Sequence, residues 1–446
     1  MDRKATRITL SDFTTPSMRA FHTTWVAFFV CFFGWFGIAP LMAVVRDDLH
    51  LTKGQISGLI MASVSMPVLV RLVVGPLCDR YGARLTYTWL LLLGALPVMG
   101  LGLATNYETF LLLRLAVGVI GASFVITQYH TSMMFAPNCV GTANATVAGW
   151  GNLGGGVTQI VMPLILAAFV SLGVDAPLGW RLAMVLPGLA LILMGLAYYR
   201  LTQDTPAGNF ADLRASGQLP PAAAPASGTL RLAICDGRVW ALAGIYAACF
   251  GVEITMHNVA ALYYHDTFGL SLTTAGCVAG IFGLMNLFAR ALGGILSDRC
   301  AAWAGLKGRV GLLGVVLFCE GLALVLFSRM SSLLPAIAAM LVFGLCVKMA
   351  SGATYGVVPF LQQQAIGAVA GIVGAGGNVG AVLAGWLFSL DALTTQGTFL
   401  LLGFLVMGAA TLAFLVGFTT RAEAEERLAV AQALATPPPD ALVTAH

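Results

Sequence analysis

The chain has 446 residues, of which 59% are hydrophobic and only 9% charged, and its mean hydropathy is +0.88. An ordinary soluble domain is about a quarter charged, so this composition excludes one and points to a protein dissolved in lipid. The formal charge of +4 follows from orientation in a membrane and implies no nucleic acid, and the nine scattered cysteines form neither a C-x-x-C pair nor a metal-spaced cluster with histidine.

Residues 1–19 are polar and charged, and the apolar run that follows is already long enough to span, so it reads as an anchor and not as a cleavable signal. Further apolar runs lie near 54–78, 85–104, 109–131, 143–168, 181–200, 239–264, 273–297, 309–328, 333–358, 367–390 and 397–418, which with 22–45 makes twelve. A span takes about 20 apolar residues, and lipid offers backbone groups no partner outside a helix, so twelve transmembrane helices are expected. The organisation that follows is a bundle over 1–200, a linker over 201–238, a second bundle over 239–420 and a tail over 421–446. Pro220, Pro221 and Pro225 among small residues make the linker read as flexible, and the tail begins as a charged helix candidate from Glu423 to Arg427, breaks at Pro437-Pro438-Pro439, and reads as solvated and partly disordered.

Lys and Arg gather in alternate loops, around Arg3 to Arg19, Arg80 and Arg84, Arg200 to Arg238, Arg299 to Arg309, and Arg421 to Arg427. The intervening loops hold only Arg46, Lys53, Arg181 and Arg329. The positive-inside bias then puts both termini and the linker in the cytoplasm.

The two bundles repeat one another. Arg71 precedes Asp79-Arg80 in the second span by the same spacing that separates Arg290 from Asp298-Arg299 in the eighth. In the fifth span Gly149, Gly151, Asn152, Gly154, Gly155 and Gly156 form a glycine-rich run, matched in the eleventh by Gly371, Gly374, Gly376, Gly377, Asn378 and Gly380. Duplicated bundles of this kind are the mark of secondary transporters, whose substrate sits near the midplane between the halves.

An arginine inside a span is costly and rarely present without a reason. Eight residues of helix rise about 12 Å from the charged membrane surface, which places Arg71 and Arg290 near the centre of a hydrocarbon layer about 30 Å thick. Two guanidinium forks at one depth make an anion site, each able to meet two oxygens of a planar anion. Pairing with an intramembrane carboxylate is the competing account. Asn152, Asn286 and Asn378 can donate to the same ion or simply tie helices together, and the glycines can expose backbone to it or simply allow close packing.

Here a family resemblance becomes specific. Gly149 to Gln159 with Gly371 to Gly380 resembles the paired nitrate signature of the nitrate/nitrite porter family in the major facilitator superfamily, and Arg71 and Arg290 match that family's substrate arginines. Gly75, Asp79, Arg80, Gly82 and Arg84 resemble the superfamily's loop motif, a helix cap and charge latch between spans two and three, repeated in part by Asp298 and Arg299; Arg114, Gly118 and Gly121 resemble its fourth-span motif. The resemblance implies an all-α integral membrane protein with the major facilitator fold, twelve transmembrane helices in two pseudo-symmetric six-helix bundles. It implies nitrate, nitrite and protons as partners, no cofactor or metal, a working monomer, and a multi-pass place in the cytoplasmic membrane. It also implies aromatic walls around the ion, for which Phe32, Phe33, Phe36, Tyr246 and Phe250 are the candidates.

Inward movement of an anion against 100 mV, inside negative, costs about 2.3 kcal/mol, so uptake needs a coupled ion. Glu253 and His257, one turn apart on the seventh span, are expected to exchange the proton, with Glu320 and Lys348 as further intramembrane charges. The stretch from Phe250 to Asn258 is more similar to the family's proton-coupled uptake branch than to its nitrate/nitrite exchangers. A nitrate/nitrite antiporter, a carrier of another small anion and a nitrate sensor remain open; an enzyme has no motif to support it.

Overall fold

The computed structural model describes residues 4–219, 227–270, 272–388, 390 and 392–435, and the described residues form helices and connecting turns. The first half contains α1 (Pro16–Phe36), α2 (Met42–Leu49), α3 (Lys53–Tyr81), α4 (Ala83–Gly100), α5 (Tyr107–Gly118), α6 (Ser123–Met134), α7 (Val140–Ser171), α8 (Ala176–Ala183) and α9 (Val185–Leu201). Two short helices follow, α10 (Phe210–Ala215) and α11 (Ser227–Ile234). The second half contains α12 (Gly237–Phe268), α13 (Leu272–Leu284), α14 (Ala289–Ser328), α15 (Leu333–Val357), α16 (Ile366–Phe388) and α17 (Thr395–Ala410), and α18 (Thr420–Ala435) ends the described chain.

Local chemistry starts these helices where the apolar runs begin. At α3, Gln55 N–H donates to Thr52 Oγ1 at 3.3 Å and Thr52 N–H returns a bond to Gln55 Oε1 at 2.9 Å; Asn106 and Thr109 do the same at α5. Eleven described segments are long and apolar enough to cross a membrane. One of them, Val278–Ser328, has 51 residues, far more than one pass needs. Gly305 divides it, with φ +66° inside α14, so the segment makes two passes and the described chain holds twelve crossings. A left-handed φ is open to glycine at little cost, which is why the turn falls there. The outside of the bundle is apolar, with Leu103 81%, Leu334 78% and Phe414 89% exposed, as hydrocarbon requires.

The linker and the tail differ from the sequence expectation. Asp204 accepts from Arg84 N–H at 2.8 Å and Phe210 N–H at 2.9 Å, which holds the first part of the linker against the α3–α4 turn. Burial pushes the Asp204 carboxyl above its ordinary range even though both N–H groups favour its ionised form. The three linker prolines lie outside the described residues. The charged start of the tail forms the expected helix, α18, but its Glu423 and Glu426 are buried instead of solvated. Lys307 N–H donates to Glu423 Oε1 at 3.1 Å, and Glu426 Oε1 lies 3.9 Å from Arg309 Nε. The helix docks because its acidic face meets the exposed donors of the turn at Gly305.

The two halves are joined at the end that carries the termini by a reciprocal pair of caps. Asp79, at the end of α3, accepts from Gly367 N–H at 3.0 Å and Ala368 N–H at 3.1 Å in the first turn of α16. Asp298 accepts from Gly141 N–H at 3.1 Å, Thr142 N–H at 2.6 Å and Thr142 Oγ1 at 2.7 Å in the first turn of α7. These N–H groups have no intrahelical partner, and the positive end of each helix favours a carboxylate. Each half thus caps a helix of the other.

Candidate functional site

Arg71 and Arg290 are 0% and 1% exposed and face the same two rings. Arg71 Cζ lies 5.4 Å from the centre of Phe124 and 5.8 Å from Phe250; Arg290 Cζ lies 5.5 Å from each. The two guanidinium carbons can be no farther apart than the sum of their distances to Phe124, so the cations share one central compartment. Phe124, Tyr246 and Phe250 stack with interplanar angles of 9° to 11°, giving flat parallel walls. Tyr355 stands edge-on to Phe124 and Tyr246.

The two arginines are held differently. Arg71 donates through Nε and Nη2 to Gly121 O at 3.2 and 2.9 Å, and through Nη1 to Gly374 O at 2.5 Å and Asn378 Oδ1 at 3.2 Å. Arg290 donates through Nη2 to Tyr246 OH at 2.8 Å and has Glu253 Oε2 at 3.6 Å from Nη1. Its Nε and Nη1 are buried with no hydrogen-bond partner among the described residues.

The glycine runs divide into faces. In α16, a Cβ on Gly371 would stand 2.5 Å from Arg71 O, one on Gly374 3.4 Å from Arg71 Cδ, and one on Gly377 2.6 Å from Tyr246 Cδ1 and 2.8 Å from Phe250 Cδ1. These glycines let α16 approach the arginine and the ring stack. Gly376 faces the backbone of Ala243 in α12. In α7, only Gly149 faces the arginine side, with a virtual Cβ 3.4 Å from Arg290 Cβ. Gly151, Gly154 and Gly155 pack on Phe28, Phe29, Phe32 and Phe36 of α1, so they serve the α1–α7 contact within one half. Phe33 lies with them, its carbonyl accepting from Thr158 Oγ1 at 3.2 Å, and is not brought to the ring stack. Asn378 is used by the protein, accepting from Arg71 and donating to Val64 O at 3.3 Å. Asn286 Nδ2 donates to Glu253 Oε1 at 3.2 Å, and its Oδ1 is unpartnered among the described residues, as is Asn152 Oδ1.

Glu253 does not pair with His257. Lys348 Nζ donates to its Oε1 at 2.8 Å and Ser351 Oγ to its Oε2 at 3.3 Å, in addition to Asn286 and Arg290. His257 is exposed, with its ring against Phe282 at 5.1 Å. A carboxylate in so dry a place takes the nearest full cations, and these come from α14 and α15. Glu320 is also fully buried and does not pair with Lys348.

A family model described as Major Facilitator Superfamily matches residues 24–363. High affinity nitrate transporter 2.5 of Arabidopsis thaliana is 39% identical, covering 92% of this chain and 81% of its own length. Nitrate/nitrite transporter NrtP of Nostoc punctiforme is 28% identical, covering 85% and 89%. The chain belongs to the nitrate/nitrite porter family of the major facilitator superfamily. Among solved structures, the proton:xylose symporter XylE aligns with a TM-score of 0.68 at 14% identity over 93% of this chain and 99% of its own, and the Escherichia coli fucose:proton symporter FucP with 0.62 at 13% over 91% and 100%. At that identity they share the fold alone.

In this porter the loop-motif residues divide as the glycines do. Gly82, with φ +87°, turns the chain so tightly that a Cβ would meet the Asp204 carboxylate. Gly75 and Gly367 abut backbone to backbone across the two halves. Arg84 donates through Nε to Tyr199 O at 2.8 Å, whereas Arg80 and Arg299 are exposed; Arg80 lies over the Tyr81 ring at 5.1 Å. The site residues that sequence reasoning missed are Phe124, Tyr355 and the carbonyls of Gly121 and Gly374. Phe124 follows Gly121 by three residues in the recognised fourth-span motif, and that placement was the available signal.

Proposed function

We propose that this porter moves nitrate, and nitrite with it, across the cytoplasmic membrane as a monomer, by proton symport with alternating access. The observation that carries the reading is Arg290: a buried guanidinium with two unanswered N–H groups, facing the same rings as a second guanidinium. Buried cations without full partners are costly, and an oxyanion supplies the missing acceptors. Arg290 and Lys348 share Glu253, and Arg71 adds a third cation facing the same rings with carbonyl and amide partners alone, so an added monovalent anion brings the centre nearer neutrality. The parallel rings favour a flat anion. The names of the relatives, nitrate and nitrate/nitrite transporters, agree with that chemistry.

Both termini and the linker belong on the cytoplasmic side, where the positive loops lie. The reciprocal Asp79 and Asp298 caps then close the inner end, and contact between α3 and α16 continues as far as the Asn378–Val64 bond. Nitrate enters from the other end, and rocking of the halves breaks both caps to release it. The bilayer contributes by excluding water from the ion pairs.

The test is labelled nitrate flux and current in voltage-clamped membranes with a pH step. Inward positive current coupled to nitrate is expected, which requires more than one proton per anion. Electroneutral flux that depends on internal nitrite would sink the symport reading. Competition among nitrate, nitrite, chlorate and formate should leave nitrate and nitrite as the effective competitors.

A further inference from the structure

Among the described acidic residues buried in the membrane-spanning helices, Glu320 stands apart. Asp79 accepts two N–H bonds, Asp298 accepts three bonds besides Arg309 Nη1 at 2.6 Å, and Glu253 is held by Lys348, Asn286, Ser351 and Arg290. Glu320, in the second pass of α14, is 0% exposed, and neither of its carboxyl oxygens has a hydrogen-bond partner among the described residues.

The groups around it are few. Glu253 and Cys249 of α12 and Cys346 of α15 lie within electrostatic reach. Its own pass adds Cys319 beside it; the cations Lys348 and Arg290 stand on Glu253, at 2.8 and 3.6 Å, and reach Glu320 through that shared neighbour; and α17, on the other side, carries no titratable residue. An ionised carboxylate without donors in such a place is not tolerated, so in this arrangement the carboxyl is kept as the neutral O–H form.

We propose that Glu320 is the proton-binding site of the transport cycle, coupled to the anion because Arg290 and Lys348 are shared among three negative groups. The inference rests on the reading that an oxyanion binds at Arg290. When the anion occupies Arg290, Glu253 depends on Lys348, and Glu320 has no cation left, so it holds a proton taken from water. When the anion leaves, Arg290 closes the 3.6 Å gap to Glu253. Lys348, on a long flexible stem, then becomes available to Glu320; the O–H bond breaks and the proton returns to water. Two cations face two anions in both conditions. The anion and the proton therefore bind and leave together, and the charge buried at the centre stays constant. Glu253 keeps its ionised form throughout. A cycle carrying more than one proton takes the remainder elsewhere.

The test uses the full chain in liposomes, comparing labelled nitrate exchange at equal pH with net uptake driven by a pH step. Glu320→Gln, a neutral isostere, is expected to lower pH-driven uptake about tenfold or more while lowering exchange less than about threefold, the split expected when coupling and not binding is lost. Glu320→Asp is expected to recover pH-driven uptake. In a lightly buffered detergent solution, nitrate addition to the unmodified protein should draw in protons, and this checks the linkage even if a variant does not fold. Near-normal pH-driven uptake by Glu320→Gln, loss of both modes in a variant with unchanged thermal stability, or no proton uptake on nitrate binding would each overturn the proposal. An unmodified protein that neither exchanges nor accumulates nitrate would instead sink the transport reading on which it rests.

Discussion

The Arg71 region and the Arg290 region occupy equivalent places in the two halves and do different work. Arg71 is tied by four hydrogen bonds to Gly121, Gly374 and Asn378, two of them reaching into the opposite half. Arg290 makes one hydrogen bond, to Tyr246, and its second partner Glu253 is shared with Lys348. The same residue type at the same depth is therefore a structural clamp in one half and an open ligand in the other. Sequence duplication preserved the charge, and divergence of its surroundings separated the roles. The difference also explains how a site with two arginines can release its ion: only one of them has donors to exchange between anion and carboxylate.

The comparison breaks most sharply on the arginines. Arg290→Lys is expected to weaken nitrate binding about 100-fold, some 2.7 kcal/mol, because a point charge does not replace two directed N–H groups; calorimetric or fluorescence titration of the purified protein reads this. Thermal stability should change little. Arg71→Lys is expected to do the reverse, lowering the melting temperature by about 5 °C as buried Gly121 and Gly374 carbonyls lose partners, with a smaller loss of affinity. Equal affinity losses with no thermal effect in Arg71→Lys would mean that both arginines are simple ligands.

Tyr246→Phe sharpens the open side. Loss of the hydroxyl that orients Arg290 Nη2 should weaken nitrate affinity about fivefold, near 1 kcal/mol, with the ring stack kept. An unchanged affinity would show that Glu253 alone orients the guanidinium.

The smallest expected effect concerns the latch. Asp298 is held by Arg309, which faces the docked tail helix through Glu426, whereas Asp79 is met from α11 by the Thr229 hydroxyl and has no such arginine and acidic helix face among the described residues. Burial raises the Glu426 carboxyl above its ordinary value of 4.5. The docked helix thus binds a proton more tightly than the undocked one, so docking is firmest in acid and weakens as the pH rises through the raised value. Hydrogen exchange over 420–435, corrected for its intrinsic pH dependence, should show protection falling with rising pH, and Glu426→Gln should flatten the trend.

Much of the fold was legible because its causes are local. Transfer of apolar side chains into lipid acts residue by residue, so the twelve runs could be counted, and only the turn at Gly305 blurs one boundary in the helix record. Helix rise and the Arg-to-Asp spacing put Arg71 and Arg290 at one depth without any contact being known. In the tail the helix at Glu423 to Arg427 was legible, but the burial of Glu423 and Glu426 was not, because docking depends on donors at Lys307 and Arg309, more than a hundred residues away. Gly151, Gly154 and Gly155 misled for a related reason: a glycine run states that something comes close, and not what. Thus the sequence by itself determined the spans, the duplication and the depth of the charges, since hydrophobicity and helical geometry depend on near neighbours. Tertiary structure alone decided that Glu253 takes Lys348 and not His257, that Phe124 joins the centre, and that Arg290 keeps free donors, because in a dry interior each charge is settled by whichever partner the packing of distant helices brings within a few ångströms.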